Sequence, residues 1–442
     1  MLRRRVGLLF AVVAACTDSN AAREKTDAQL SNVVLIVVDT LRRDHLGCYG
    51  YERPISPAID RLAADSVVFD NATSQAPWTT PAVGALLTSR YPTELNILGD
   101  RSVLPDGVET LAELLRAHEV KTGAVISHSF CSSRWRFDQG FVSFDENNIK
   151  GHKGVTSKEV ADGAIAFLEQ QRGGRFFLWA HFFDPHFGYQ LHPDFDPEPG
   201  LVYQGPVKPG VDVKVLIKMR NEGRLGAEDL RQVIRCYDSE IAFTSHHIGR
   251  LLERLGALGL AQNTLVVLVA DHGEAFGEHD RLGHAKTLYA ELLSVPLIVR
   301  DPRRPSGRSR VHASSIDVAP TILAALGIAV PASMRGRDLF SSVPAPPVFS
   351  ETSRFNRLRS IVADDYKLIL DLESGNTELY RTTGDPAEIR DLSNAEPAVE
   401  ARLLASLREW VQDSESRKTE KAEIDLTGTE REQLRQLGYE DD

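Results

Sequence analysis

The chain has 442 residues, of which 42% are hydrophobic and 26% charged, the proportions of a soluble globular protein with enough apolar material for one large domain and a smaller one. Its formal net charge of −11 argues against a nucleic-acid surface, although a local basic pocket can still receive an anion.

The first residues, MLRRR, are positive, and the apolar run VGLLFAVVAA behind them is too short to cross a bilayer and ends at Cys16. Small residues before this cysteine resemble the lipobox of bacterial lipoproteins. That resemblance implies export, lipidation of Cys16 and attachment to a membrane, with Thr17 in place of an acidic residue suiting the periplasmic side of the outer membrane. An ordinary cleaved signal is the alternative. The stretch up to residue 31 reads as a polar tether. Cys48, Cys131 and Cys236 follow at wide, irregular spacing, which fits no zinc or redox pattern. One pair could bridge in an oxidising compartment, and the sequence does not choose it.

NVVLIVVDT is a continuous β-branched run, the mark of a strand buried on both faces, and it ends in Asp39. Helical patterns follow in PAIDRLAADS, in the segment from Pro81 and in TLAELLRAHEV. In SQAPWTTPAVGALL, Thr80 reads as the N-cap and Pro81 as the first helical residue of a helix that buries Val83, Leu86 and Leu87. TGAVIS is a strand, VADGAIAFLEQQ a helix and RFFLWAHFFD a strand. A long amphipathic helix then precedes the buried strand in NTLVVLVADHGE, with SVPLIVR and DVAPTILAALG behind it. Strands alternating with helices predict an α/β fold with a mostly parallel sheet covered on both faces. From Pro344 onward the pattern turns to short strands and turns, predicting a small antiparallel sheet, and AVEARLLASLREWVQD is an amphipathic helix. The predicted division is a signal and tether at 1–31, a catalytic domain at 32–343, a small α+β subdomain at 344–415 and a charged, loosely held tail at 416–442.

Ligands of such sheets lie beyond the carboxyl ends of the strands, and polar clusters fall there. Asp39 follows the first strand, His128 follows GAVIS, Asp184 and His186 follow FFLWAHFF, and Asp271 and His272 follow TLVVLVA. Asp39, Asp271 and His272 supply two carboxylates and an imidazole, a set suited to a divalent metal. Thr79 beside them would be a nucleophile for phosphorus or sulfur, with helix N–H groups holding the anion's oxygens. His181, between Ala180 and Phe182, reads as a core histidine, and His246 and His247 read as one face of the long helix.

The blocks NVVLIVVDTLRRDHLGCYGY, APWTTPAVGALLTSRYP, FFDPHFGY, YDSEIAF, NTLVVLVADHGEAFGEHDRLGH and IDVAPTILAALGI resemble, in this order, those of the sulfatase family within the alkaline phosphatase superfamily. The resemblance implies that Asp39, Asp271 and His272 hold a metal and that Thr79 stands at the nucleophile position. Sulfatases carry there a Cys or Ser converted to formylglycine, in a Cys/Ser-x-Pro-x-Arg motif. Here the motif reads Thr79-Thr80-Pro81-Ala82-Val83. Threonine bears a methyl on Cβ and cannot become the aldehyde, whereas superfamily relatives acting on phosphoesters use threonine directly. His284 stands where sulfatases usually have a substrate-binding lysine, Lys286 follows two residues later, and Thr40 replaces a common acidic ligand.

The resulting expectation is an exported, metal-dependent ester hydrolase acting on a phosphoester. Its catalytic residues are Thr79, His186 and His284, its substrate contacts His128 and Lys286, and its metal ligands Asp39, Asp271 and His272. Zinc or manganese is favoured over calcium because an imidazole joins few carboxylates. The partners are an anionic ester and a membrane reached through Cys16, with no nucleic acid. The alternatives are sulfate-ester hydrolysis without formylglycine, transfer of a phospho-group to an envelope glycan or lipid, and a binding protein without turnover.

Overall fold

The computed structural model describes residues 29–150, 154–171, 173–428 and 430–431; the signal segment with Cys16 and the end of the charged tail lie outside the described residues. In chain order the strands are β1 (Asn32–Val38), β2 (Val67–Thr73), β3 (Lys121–Val125), β4 (Ser143–Asp145), β5 (Phe176–Phe182), β6 (Thr264–Ala270), β7 (Ala275–Phe276), β8 (Leu282–Gly283), β9 (Leu297–Arg300), β10 (Gly307–Ser314), β11 (Val348–Thr352), β12 (Leu358–Ala363), β13 (Tyr366–Asp371) and β14 (Thr377–Arg381).

Eight of them form the main sheet in the order β10-β2-β9-β6-β1-β5-β3-β4. Only β9 opposes the common direction, pairing antiparallel with both β2 and β6. β1, β5 and β6 are buried along their whole length, as expected of central strands covered on both faces. Two groups of helices do the covering. Pro57–Ala64 and Ser157–Gln170 pack on the long helix Ala227–Ala257, while Leu111–Ala117 and Val318–Ala325 pack with Thr79–Thr88. The fold is thus the predicted α/β sheet. The strands that the sequence did not signal are mostly peripheral and polar, such as β10, which is exposed along much of its length.

The register of the central strands prepares the site. Val37 of β1 lies opposite His181 of β5 and opposite Val269 of β6. Side chains alternate across a strand. Asp39, two residues past Val37, and Asp271, two past Val269, therefore emerge on the face that His181 shares.

The helix expected to begin at Pro81 begins two residues earlier. It spans Thr79–Thr88, Trp78 is its extended N-cap residue, and no side chain caps it. A proline is tolerated at the third helical position because first-turn N–H groups have no intrahelical acceptor. Thr80 is no cap; its hydroxyl donates to the Phe130 carbonyl at 3.1 Å. The shift brings Thr79 itself into the first turn.

A second, antiparallel sheet runs β11-β12-β13-β14, and the helix Pro397–Ser416 lays Leu403, Leu407 and Trp410 against it. Trp410 stacks on Phe349 at 4.7 Å and meets Tyr91 edge-on at 5.0 Å. The segment beyond this helix is held more firmly than its charge suggests. Thr419 N–H donates to the Glu94 carbonyl, Val103 N–H to that of Ala422 and Ile424 N–H to that of Arg101. Cys48, Cys131 and Cys236 are free thiols. Among the described residues no helix is long and apolar enough to cross a membrane.

Candidate active site

Asp39 leaves β1 through Thr40, a β-branched residue held at φ 53°, a backbone region that such residues rarely occupy. Three hydrogen bonds keep it there. The Thr40 hydroxyl donates to the Asp39 carbonyl, its N–H to Asp271 Oδ1 at 3.3 Å, and Tyr237 OH donates to its carbonyl at 2.7 Å. The turn after β6 is held by Gly273, whose N–H donates to the Leu292 carbonyl at 2.7 Å. A side chain there would meet the Glu291 carbonyl oxygen at 2.1 Å, so only glycine fits.

Around these turns Asp39, Thr79, Asp271 and His272 are fully buried. His272 Nδ1 lies 2.9 Å from the Gly273 carbonyl and donates to it, which leaves the lone pair on Nε2. That nitrogen is 3.5 Å from Thr79 Oγ1, 3.7 Å from Asp39 Oδ1 and 3.5 Å from Asp271 Oδ2. His128 Nε2 approaches the other Asp39 oxygen at 3.7 Å, and its Nδ1 accepts the Phe130 N–H. The imidazoles continue outward, with the ring of His284 4.6 Å from that of His272 and 5.0 Å from that of His186.

Burial dominates the electrostatics. It pushes the Asp39 carboxyl well above the usual carboxylate range, the charges of Asp271 and Glu274 add to this, and the Thr79 hydroxyl opposes it. Burial also lowers His272 to about 4, so its ring is neutral at pH 7. Glu274, at 2.9 Å from His284 Nδ1, is pushed up to about 8 by burial. Both Asp39 carboxylate oxygens and Asp271 Oδ2 are buried without a hydrogen-bond donor. Buried carboxylate oxygens without donors are costly; beside an imidazole lone pair these three fit a divalent ion taking mixed oxygen and nitrogen ligands.

Of the expected residues, Thr79, Asp39, Asp271, His272, His128, His186 and His284 are brought together. Lys286 is turned aside, its ammonium 4.7 Å above the Phe355 ring. Asp184 accepts the Thr156 and Ser157 N–H groups at the start of a helix and so orients the loop that carries His186. Arg42 pairs with Asp44 and Glu278, and His279 with Glu291; these brace the rim. Two residues escaped the sequence reading. Arg354, just past β11, lies 4.3 Å over the Trp78 ring and pairs with Asp100. His181, read as a core residue, is indeed buried, but in a group with Asp39 and Asp271 whose ligand atoms lie within 4.8 Å of one another.

The sulfatase family profile matches residues 31–328, from β1 through the helix that follows β10. The chain belongs to the sulfatase family. It is therefore an ester hydrolase of the alkaline phosphatase superfamily. It is 25% identical over 374 residues to an ulvan-active sulfatase of Formosa agariphila, covering 75% of this chain and 69% of that protein. It is 24% identical to a Delta 4,5-hexuronate-2-O-sulfatase of Bacteroides thetaiotaomicron, over 91% of both chains. Among solved structures it resembles a protein in complex with its substrate D-glucosamine-2-N,6-O-disulfate, with a TM-score of 0.75, 19% identity and coverage of 88% and 99%. It also resembles the phosphonate monoester hydrolase of Agrobacterium radiobacter, with a TM-score of 0.70, 18% identity and coverage of 86% and 96%. The named substrates of these two structures thus include a sulfated sugar and a phosphonate monoester, on one fold.

Proposed function

We propose that this sulfatase-family hydrolase uses Thr79 as its nucleophile and cleaves a phosphoester. One observation carries the reading: the residue beside the His272 lone pair, at 3.5 Å, is a threonine, whose Cβ methyl forbids conversion to formylglycine. The likeness to a phosphonate monoester hydrolase supports phosphorus as the attacked atom. Asp39, Asp271 and His272 would hold zinc or manganese, which when bound supplies neutralisation of the charge that builds on the transferred group.

The roles of the side chains follow from their positions. The Thr79 oxygen, its proton released to solvent, bonds to phosphorus while the bond from phosphorus to the ester oxygen breaks. The N–H groups of the first helical turn, where Thr79 sits, face the non-bridging oxygens. Glu274, protonated at pH 7, donates to His284 Nδ1; this fixes the ring's single proton on Nε2 as a neutral donor to the anion. His186, packed 5.0 Å from His284, gives the departing oxygen its proton. Water then attacks phosphorus as the bond to Thr79 breaks; one water proton returns to His186, and the Thr79 oxygen regains a proton from solvent as the phosphate product leaves. His128, with Nδ1 engaged by a backbone N–H, presents Nε2–H to the same anion. Export through the segment ending at Cys16 would place the reaction at the cell envelope.

The names of the relatives favour a second reading, direct attack of Thr79 on a sulfate ester. The deciding experiment compares an aryl phosphate monoester, a phosphodiester and an aryl sulfate as substrates for the protein starting after Cys16, with zinc, manganese or calcium, beside Thr79→Ala. Cleavage of a phosphoester that Thr79→Ala abolishes supports the proposal. Cleavage of sulfate alone, or a fully active Thr79→Ala, overturns it.

A further inference from the structure

We infer that His181, from the interior of β5, is a further ligand of the divalent ion, joining Asp39 from β1 and Asp271 from β6. The inference rests on reading Asp39 and Asp271 as metal ligands and adds a donor to that site.

Three observations carry it. First, Asp39, His181 and Asp271 each present a ligand atom within 4.8 Å of the other two. Second, His181 is fully buried, and neither of its ring nitrogens has a hydrogen-bond partner, just as both Asp39 oxygens and Asp271 Oδ2 have none. Buried polar side-chain atoms are ordinarily paired. Other buried histidines here obey that rule: His45 Nδ1 lies 2.7 Å from Asp238 Oδ1, and His272 Nδ1 2.9 Å from a carbonyl. A histidine serving only to fill the strand would leave two unpaired nitrogens in a group with three unpaired carboxylate oxygens, where an aliphatic residue would fill the same space without that cost. Third, the register makes the meeting a property of the sheet. Val37 stands opposite both His181 and Val269, so three adjacent parallel strands deliver the three donors to one face.

The consequence is a change in ion chemistry. With His272 the ion would meet two carboxylates and two imidazoles, a donor set for zinc or a similar transition ion, whereas calcium is bound through oxygen. His181 comes from inside the sheet, two register positions before Asp39.

The test measures metal, not turnover. Zinc alone is titrated into metal-free protein, and binding is followed by equilibrium dialysis, for the parent, His181→Leu and Asp39→Asn. The expected result is a loss of zinc affinity of at least about 100-fold in His181→Leu, no less than loss of an outer partner can cost, and a comparable loss in Asp39→Asn. Parent-like affinity in His181→Leu with loss in Asp39→Asn overturns the inference and leaves the ion site standing. Parent-like affinity in both overturns the ion site itself. Should His181→Leu fail to fold, zinc-edge X-ray absorption of the unaltered protein decides: two imidazoles around zinc support the inference, and a single one defeats it.

Discussion

Glu274 shows how a single buried carboxyl links the site to pH. Burial raises it to about 8 from an ordinary value of 4.5, so the folded protein keeps a proton there that the unfolded chain releases. Stability from this group is then complete below about pH 4.5 and is lost as the pH climbs through about 8. The loss amounts to a few kcal/mol at most, on the order of the free energy carried by such a shift. Glu274→Gln keeps a neutral partner for His284 at every pH. Urea unfolding of metal-free protein should therefore show the parent losing stability between about pH 5 and 8, and Glu274→Gln losing less; equal slopes would show that the proton resides elsewhere. Residues of this kind were only partly legible. Asp39, Asp271 and His272 announce themselves by standing at the ends of apolar runs. His181 does not, because a lone histidine inside a strand looks like packing until the register of β5 against β1 is known.

Turns position the chemistry at the next scale up. Thr40 holds an unfavourable backbone angle through three hydrogen bonds, and Gly273 lets the Glu291 carbonyl approach the turn that aims His272. Gly273→Ala must push that backbone aside, since its Cβ would lie 2.1 Å from the carbonyl oxygen. Overpacking of this type costs about 1–3 kcal/mol. It should also rotate His272 away from Thr79, so that thermal unfolding moves down and retained zinc falls together; a variant that keeps its zinc would separate the turn from the ligand. The sequence made the strands beneath these turns legible, because β1 and β6 are continuous β-branched runs. It misplaced the start of the helix Thr79–Thr88 by two residues. Proline was read as a first helical residue, while its missing N–H suits any position of the first turn.

Across the whole molecule, the two sheets are joined through aromatic packing. Trp410 stacks on Phe349 of β11 and meets Tyr91, which follows the helix Thr79–Thr88. Trp410→Ala should cost about 3–5 kcal/mol, the usual range for truncating a buried tryptophan, read as a lower urea midpoint. A drop within about 0.5 kcal/mol, that of a surface site, would mean that the second sheet is not part of the same cooperative unit. The small sheet was foreseeable from its short strands. Its reach into the site was not, since that depends on where the turn after β11 points Arg354.

That reach ties the bracing of the site to the order in which the chain is made. Residues 79, 271 and 272 leave the ribosome well before Arg354, which covers Trp78 and pairs with Asp100, and before the segment at 419–424, which fastens the loop around residues 101–103. A chain cut short after residue 343 would carry the proposed nucleophile and every proposed ligand, yet leave the flank of the helix Thr79–Thr88 unfastened.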